Sequence, residues 1–425
     1  MNKIFDLIKK GYAFEWGLVA IAFCLPLYRI LSTVLIVITA LFWLMKSDLK
    51  SRVISAFRNR FFLLLVTFYL LHVISYFMSY DKKVAYTDLE TKLSLIVLPL
   101  FFFAGGVINQ NVVKRIARVF VLGCLTAILV CIYFAIKNSF HNPYVENEFN
   151  ISIFLDSINL PWWELILKSY SYFNYALYSH FMHPSYFALY LTLAAFIVSS
   201  SSLWFNYDGL KIKIVKIIIV LFIILNIFLL QSRAGLIALL IYLIWILVTS
   251  NWRTHWIIIA LSGLVVISAL TLFSGRFELI SSKVETLSWD QISKTNIRLA
   301  VWEEAVDLIG QNPVFGHGIG DAKHKLMQNY EINGVKQALE EELNVHNDFL
   351  EIGVKLGIIG MILLLMILVC PIFNGSTQKS IYLFFILILI SHFMFESMLE
   401  RYAGVGFFSF FYCFINSYLR INKRD

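Results

Sequence analysis

The chain has 425 residues, of which 59% are hydrophobic, 16% are aromatic and only 15% are charged, and its formal net charge is +8. A soluble globular protein of this length carries a larger share of charged residues, so the composition excludes that class. The apolar runs are continuous, as in residues 61–71 and 217–230, whereas the strands of a transmembrane barrel alternate apolar and polar residues. The sequence therefore predicts an all-α fold of the polytopic membrane class.

Long apolar runs recur along the chain, and about 20 apolar residues are enough for a helix to cross a bilayer. They predict about twelve transmembrane helices. In chain order, the predicted spans are residues 14–28, 30–45, 61–79, 93–110, 117–137, 180–201, 213–230, 234–250, 255–273, 347–371, 379–395 and 402–419. The chain is thus expected to comprise residues 1–273 with nine spans, a helical loop at 274–345, and residues 346–425 with three spans.

The distribution of charge predicts the orientation of these spans. Lysine and arginine concentrate in one set of short connections, and such connections face the cytoplasm. Both termini are therefore expected in the cytoplasm, and residues 138–179 and 274–345 are expected outside it. The first apolar run leads directly into further spans, which favours a retained first helix over a cleaved signal peptide. Because the positive charge follows this loop bias, it does not indicate a nucleic-acid partner.

The polar segment 274–345 has the pattern of a folded, helical loop. Residues 297–309 follow possible capping residues and precede Gly310, which predicts a helix that ends there. Arg298, Trp302 and Ala305 fall at i, i+4 and i+7 and therefore share one face of this helix. The remaining predicted elements of the loop are a glycine turn at 316–320 and short helices at 321–330 and 335–343.

Arg233 is a candidate functional residue because it follows the very apolar run 217–230 and another predicted span follows it. An arginine at membrane depth is costly and commonly marks function. The alternative is an arginine whose side chain extends to the outer interface. The small neighbours Ser232 and Gly235 favour a buried arginine.

Three further residues are candidates, and each has a structural alternative. Arg298 is either a solvated helix residue or a functional one. His346 lies where the polar segment meets the next span, a position that also suits a structural residue. Asn347 and Asp348 are placed to orient its ring, or one of them caps the following helix. His183 precedes a proline at the start of a predicted span, which is an ordinary position for a structural residue.

Two patterns in the loop resemble cofactor sites, but neither is predicted to bind a cofactor. Residues 316–320 resemble a phosphate-binding glycine loop, but no Lys-Ser/Thr pair follows and no strand precedes it. The acids at 340–342 point in different directions on a helix, which favours a solvated surface. No set of residues has the spacing of a metal site, so neither a metal nor a nucleotide cofactor is expected.

Four motifs carry a resemblance to a known family. They are Gln231–Gly235, the helix Ile297–Ala305 with its Arg-x-x-x-aromatic pattern, the turn Asn312–Gly320, and Val345–Glu351 followed by Leu356–Gly360. In this order and on the predicted outer side, they resemble the elements of the O-antigen ligase and polymerase superfamily, which are membrane glycosyltransferases of the GT-C type.

The resemblance implies transfer of a glycan from undecaprenyl diphosphate, without a metal, on the outer face of the bacterial inner membrane. Arg233, Arg298 and His346 match the essential residues of the family and are the expected catalytic residues. The expected substrate-binding residues are His183, Ser232, Trp302, Gly316, Gly318 and Asn347. The expected partners are the carrier-linked glycan, an acceptor that is either lipid A–core or a second carrier-linked glycan, and membrane lipids.

The acceptor distinguishes the two activities within the superfamily. A ligase transfers the glycan to a sugar hydroxyl of lipid A–core, whereas a polymerase uses another carrier-linked glycan. A ligase is favoured by the size of the loop and by the sequence elements at 343–347 and 355–360. A secondary transporter that uses Arg233 as an anchor for an anionic substrate is a third interpretation.

Overall fold

The computed structural model describes residues 11–104, 109–141, 170–173, 175–200, 202–204, 209–249, 263, 297–373 and 379–421, and for residues 140, 141, 170 and 171 it describes the backbone alone. Every regular element in these ranges is a helix, as predicted. The α-helices are α1 (Tyr12–Cys24), α2 (Arg29–Met45), α3 (Leu49–Phe57), α4 (Arg60–Met78), α5 (Lys82–Lys92), α6 (Ser94–Phe103), α7 (Gln110–His141), α8 (Tyr175–Tyr178), α9 (Pro184–Ser199), α10 (Leu210–Leu229), α11 (Arg233–Thr249), α12 (Ile297–Gln311), α13 (Ala322–Ile332), α14 (Lys336–Glu340), α15 (Asp348–Val369), α16 (Lys379–Phe393) and α17 (Tyr402–Ile421). Short 3-10 helices lie at Tyr170–Phe173, Cys370–Phe373 and Met398–Glu400.

Several of these helices have the length and apolarity of membrane spans, which makes the chain a membrane protein. Four described helical stretches meet both conditions on their own: Arg60–Met78, Gln110–Ser139, Leu210–Leu229 and Asp348–Phe373. The pair α2 and α3 would make a fifth if its two helices, bent by 114°, form one broken span. The helices α1, α9, α11 and α16 are apolar but shorter. The predicted count of twelve is not confirmed, and the predicted span 255–273 lies outside the described residues except for Gly263.

The α2–α3 bend differs from the plain cytoplasmic connection predicted at this point. Asp48 adopts a left-handed backbone with φ of 60° and starts the second helix. The buried Arg52 side chain donates to the carbonyls of Trp43, Lys46 and Ser47 at 2.9, 2.9 and 3.0 Å. Because the last carbonyls of a helix lack partners within it, these bonds stabilise the end of α2 at the bend.

The helices form two compact units. Unit 1 comprises Met1–Leu18, Thr33–Val113 and Ile267–Asp425, and unit 2 comprises Val19–Ser32 and Lys114–Val266. In unit 1, α4 packs against α6 and α15, and α17 packs against α6. In unit 2, the almost fully buried α9 packs against both α10 and α11.

The helices α12, α13 and α14 of unit 1, called the loop helices, have a small hydrophobic core of their own. The predicted helices 297–309, 321–330 and 335–343 are confirmed, with shifted ends, as α12, α13 and α14. Their buried core residues are Val301, Ala305, Leu308, Ala322, Leu326, Tyr330, Ala338, Val345 and Val354. Because Val354 lies on α15, this core also joins the loop helices to a membrane helix.

The turn between α12 and α13 docks into a break in α15. Gly357 has φ of 64°, which interrupts the helix and leaves the carbonyls of the preceding turn without their usual partners. His317 and Gly318 donate their backbone N–H groups to Val354 and Lys355 at 2.8 and 3.1 Å. In exchange, the backbone N–H of Ile358 bonds to the carbonyl of Pro313 at 2.8 Å. The turn therefore replaces the hydrogen bonds that the break removes.

The same turn is also bound to the end of α4. Ile319 and Gly320 donate their backbone N–H groups to the hydroxyls of Ser75 and Ser79 at 2.9 and 3.0 Å. The carboxylate of Asp321 accepts the backbone N–H groups of residues 80 and 81 at 2.8 and 2.9 Å. The turn between α12 and α13 is thus hydrogen-bonded both to α15 and to the end of α4.

Candidate active site

The site in unit 1 begins with one face of α12. Arg298 is partly exposed, and Trp302 follows one turn later on the same face. The indole N–H of Trp302 donates to the carbonyl of Val345 at 3.0 Å. Since Val345 is buried and directly precedes His346, this bond fixes the segment that carries the histidine beside the arginine-bearing helix.

A carboxylate lies between the two predicted catalytic residues of this unit. Glu396 Oε1 is 3.7 Å from Arg298 Nη2, and Glu396 Oε2 is 3.6 Å from His346 Nδ1. The side chain of Glu396 is 10% exposed, whereas those of Arg298 and His346 are 24% and 29% exposed. The arrangement therefore has a largely buried carboxyl group between a partly exposed guanidinium and a partly exposed imidazole.

His346 is held in an unusual backbone conformation. Its φ is +51°, in the left-handed region that residues other than glycine seldom adopt. Strained backbone of this kind persists only where the surrounding structure enforces it, and it is frequent at functional sites. Here the enforcement comes from the bond of Trp302 on one side and the start of α15 on the other.

The side chains of Asn347 and Asp348 serve the backbone and do not orient the histidine ring, which corrects the sequence-based expectation. Asn347 caps α15 by accepting the N–H groups of residues 349 and 350 at 3.0 and 3.2 Å. Asp348 is fully buried and accepts the N–H groups of Met398 and Leu399, both at 2.9 Å. These bonds join the start of α15 to the connection that carries Glu396.

Glu396 is the functional candidate that sequence reasoning missed. It lies in a short connection between two apolar helices, where the sequence analysis weighed basic residues for orientation and not acids for chemistry. The available signal was an acid immediately after the apolar stretch 379–395. Its pairing with Arg298 and His346 depends on contacts between distant parts of the chain, which spacing alone does not predict.

A cluster of buried charges lies in the same unit. Lys355 Nζ is 2.9 Å from Asp88 Oδ1 and 3.6 Å from Glu351 Oε1, and it also binds Glu400. Lys92 Nζ is 2.7 Å from Asp88 Oδ1 and 3.1 Å from Glu400 Oε1. We call these five residues the buried charge cluster.

Two carboxyl groups of the buried charge cluster have lowered pKa values. Burial by itself raises the pKa of the Asp88 and Glu400 carboxyls. The ammonium groups of Lys355 and Lys92 outweigh it, so both pKa values lie below their ordinary range. Both carboxyls are therefore ionised at neutral pH.

Unit 2 contains the other predicted residues at one end of its helices. The buried Ser232 donates its hydroxyl to that of Ser185 at 2.9 Å and accepts the backbone N–H of Gly235 at 3.2 Å. Arg233 directly follows Ser232, and His183 is the N-terminal cap of α9, two residues before Ser185. The serine pair therefore brings the starts of α9 and α11, and the two candidate side chains they carry, to the same end of this unit.

The exposure of Arg233 differs from the prediction. Its side chain is exposed at the first position of α11, so the expected buried arginine is wrong. The reason is local, because Gln231 takes a left-handed φ of 44° and the chain turns there. Ser232 and Ala234 are buried after this turn, whereas Arg233 between them is not. His183 is also exposed, and its Nε2 lies 3.4 Å from the hydroxyl of Tyr175.

The glycines predicted to bind substrate lie against the protein itself. A β-carbon on Gly316 would meet the carbonyl carbon of Lys355 at 2.6 Å, and one on Gly318 would meet the hydroxyl of Ser79 at 2.9 Å. Close packing, together with positive φ values of 67° and 93°, therefore explains both glycines. A role for them in binding substrate stays a prediction.

No group of three or more His, Cys, Asp or Glu side chains is arranged to hold a metal ion in the part of the chain that the structure describes. The polar groups of the site are a guanidinium, an imidazole and the carboxyl group between them. Such a set can bind an anion through the guanidinium and accept a proton at the imidazole.

The apolar helices define an α-helical membrane protein, and a polar, partly exposed cluster lies at the start of one of its candidate spans. Residues 218–365, which include Arg233, Arg298 and His346, match the family model described as O-antigen ligase. The resemblance to the O-antigen ligase and polymerase superfamily is therefore confirmed over this segment.

A curated relative is similar over a shorter part of the chain. An "Uncharacterized protein" of Haemophilus influenzae (strain ATCC 51907 / DSM 11121 / KW20 / Rd) is 33% identical over 136 residues, which are 28% of this chain and 33% of the relative. The chain thus spans about a third of the length of the curated relative that it matches.

Proposed function

We propose that the chain transfers a glycan from an undecaprenyl-diphosphate carrier to a sugar hydroxyl of lipid A–core, on the outer face of the bacterial inner membrane. The observation that carries the proposal is the arrangement of Arg298, Glu396 and His346 within one unit. The family match over residues 218–365 supports the reaction class.

Arg298 binds the carrier diphosphate in this proposal. The bond between the first carbon of the glycan and the diphosphate oxygen breaks, and its electron pair stays on the diphosphate. The guanidinium keeps its charge at any working pH and presents parallel N–H donors that suit phosphate oxygens. Glu396 holds the guanidinium in place at 3.7 Å until the diphosphate engages it. Arg233 lies in the segment that matches the family model, and we propose that it takes part in binding the donor.

His346 serves the acceptor. A carboxylate opposite Nδ1 favours the tautomer in which Nδ1 carries the proton, which leaves the lone pair of Nε2 free to act as a base. The acceptor hydroxyl gives its proton to Nε2 while its oxygen forms the new glycosidic bond. The 3.6 Å separation from Glu396 is longer than a hydrogen bond, and contacts of this kind tighten when substrate binds. No metal ion or nucleotide takes part.

The remaining predicted residues have supporting roles in the proposal. His183 and Ser232 belong to the end of unit 2 that carries Arg233, and they contribute to binding the carrier-linked glycan. Trp302 and Asn347 hold the histidine segment and line the acceptor side. A transferase of the polymerase type would use the same centre with a second carrier-linked glycan as its acceptor.

Reconstitution in proteoliposomes tests the proposal. The purified chain is supplied with carrier-linked glycan and either lipid A–core or a second carrier-linked glycan, in the presence of a chelator. The proposal predicts a product with lipid A–core that the chelator does not abolish. Product with the carrier-linked acceptor alone would assign the polymerase activity instead, and absence of transfer to either acceptor would contradict both.

A further inference from the structure

The buried charge cluster is larger than stability requires. Its two lysines and three carboxylates come from α5, α15 and the 3-10 helix Met398–Glu400, and their side chains are at most 17% exposed. Removing this many charges from water is costly, and replacing a buried ion pair with apolar residues often leaves stability unchanged or improved. A well-supported use of such a cluster is to fix the register of the segments that contribute to it.

One member of the cluster is connected to the chain on both sides of the site. Glu351 Oε2 accepts the backbone N–H of Val345 and the hydroxyl of Ser397, both at 3.4 Å. Val345 directly precedes His346, and Ser397 directly follows Glu396. A single carboxylate oxygen therefore bridges the two segments that carry His346 and Glu396. The separation of these segments sets the distance between the two side chains.

The other oxygen of Glu351 faces the cluster. Glu351 Oε1 lies 3.6 Å from Lys355 Nζ, which is itself held by Asp88 and Glu400. The orientation of the bridging carboxylate thus depends on a lysine anchored at the helix break. Glu351 is linked to the site through Val345 and Ser397, the chain neighbours of His346 and Glu396.

We propose that Glu351 is a positioning residue that holds His346 and Glu396 at their working separation, with Lys355 orienting its carboxylate. This role rests on the proposed function, but the separation of His346 and Glu396 can be measured without substrate. A group that moves by about 1 Å from its working position can lose on the order of 100-fold in rate. Glu351 therefore affects catalysis without touching substrate.

Cross-linking measures the asserted geometry without using activity. His346→Cys and Glu396→Cys are introduced together, and a short bifunctional thiol reagent reports how often the two positions approach each other. The contacts of Glu351 to Val345 and Ser397 remain in this protein. The single His346→Cys variant gives the background from the native cysteines, of which Cys24, Cys124, Cys131 and Cys413 are buried.

Glu351→Ala is expected to slow this cross-link several-fold, and the milder Ser397→Ala is expected to slow it to a smaller extent. The matched control is a second pair, Lys323→Cys with Glu342→Cys, which replaces an exposed ion pair of 2.8 Å elsewhere in the same loop. Its rate should not respond to either substitution. If Glu351→Ala does not fold, the comparison is made with Ser397→Ala. An unchanged 346–396 rate in every folded variant would overturn the proposal.

Kinetics in the reconstituted system separate this proposal from the proposed function. With wild-type residues at 346 and 396, Glu351→Ala should lower kcat by roughly 10- to 100-fold per folded molecule and leave the KM for the carrier-linked glycan nearly unchanged. Glu351→Gln, which keeps one acceptor oxygen, should recover part of the rate. The exposed Glu331→Gln serves as the control. Wild-type protein that transfers no glycan contradicts the proposed function alone, whereas full kcat in Glu351→Ala contradicts the positioning role alone.

Discussion

Gly316 and Gly357 lie in direct backbone contact, so that a β-carbon on Gly316 would come within 2.7 Å of the backbone nitrogen of Gly357. Both have positive φ, of 67° and 64°. One glycine allows the turn to enter the break in α15, and the other makes the break. The turn that follows α12, the helix of Arg298, is thus fixed to α15, which begins just after His346.

Gly316→Ala is expected to destabilise the protein. The new methyl group would meet backbone atoms of α15 at 2.6 Å and would also require an unfavourable φ, which alone costs about 1–3 kcal/mol. The control is Gly310→Ala, because a β-carbon at Gly310 meets nothing within 4 Å. The unfolding temperature in detergent measures both variants. A drop in Gly310→Ala equal to that in Gly316→Ala would show that the close backbone contact is not the cause.

Trp302→Phe keeps the aromatic packing of α12 and removes the hydrogen bond to the Val345 carbonyl. We expect a loss of about 0.5–1.5 kcal/mol in the free energy of unfolding, together with a larger loss of transfer activity, since the histidine segment is released. Denaturant unfolding and the transfer assay measure the two effects. Wild-type activity in a folded Trp302→Phe variant would contradict a role for this bond in placing His346.

Glu396→Gln keeps the size of the side chain and removes the negative charge between Arg298 and His346. The imidazole then loses the group that selects its tautomer, so kcat should fall by about 10²–10⁴-fold, the usual contribution of a general base. The matched control is Glu340→Gln on α14, because this side chain is exposed. Asn344→Ala is not suitable, since Asn344 lies next to the site. A Glu396→Gln variant with normal kcat would remove the acid from the mechanism.

The buried charge cluster predicts sensitivity of the folded state to acid. The folded-state pKa values of Asp88 and Glu400 are lowered from the ordinary 3.8 and 4.5. Their ionised forms therefore stabilise the folded state above those ordinary values, and the contribution is lost as the pH falls below them towards the folded-state values. The unfolding temperature should decline between pH 5 and 3. The decline should be smaller in Asp88→Asn, and an equal decline in both proteins would contradict the assignment to Asp88.

The sequence predicted the helical class, the membrane location and the three loop helices because these depend on local pattern. Residues 297–309 have a clear helical period and a stop signal, and α12 follows them closely. The number of spans was not confirmed, since hydropathy does not reveal a bend such as that at Asp48 or a short helix such as α6, which contains Pro99.

The candidate site was predictable only in part for the same reason. Arg298 and His346 stand in recognisable motifs, and the structure brings both to one carboxylate. Glu396 follows His346 by 50 positions in the sequence, and its role depends on the bonds of Asp348 to residues 398 and 399. Such long-range contacts leave no periodic signal. The burial of Arg233 was predicted wrongly because a local turn, not hydropathy, sets where its side chain points.

Separate measurement of donor binding and glycan transfer tests the central claim most directly, namely that Arg298 serves the carrier diphosphate and His346 the acceptor. The variants are Arg298→Lys and His346→Ala, with exposed Arg401→Lys and His324→Ala as matched controls. We predict that Arg298→Lys weakens binding of carrier-linked glycan and lowers transfer, because the planar fork of donors is lost while the charge is kept. His346→Ala should bind the carrier-linked glycan as the wild type does and transfer none of it. Full transfer by Arg298→Lys, or loss of donor binding in His346→Ala, would contradict the assignment.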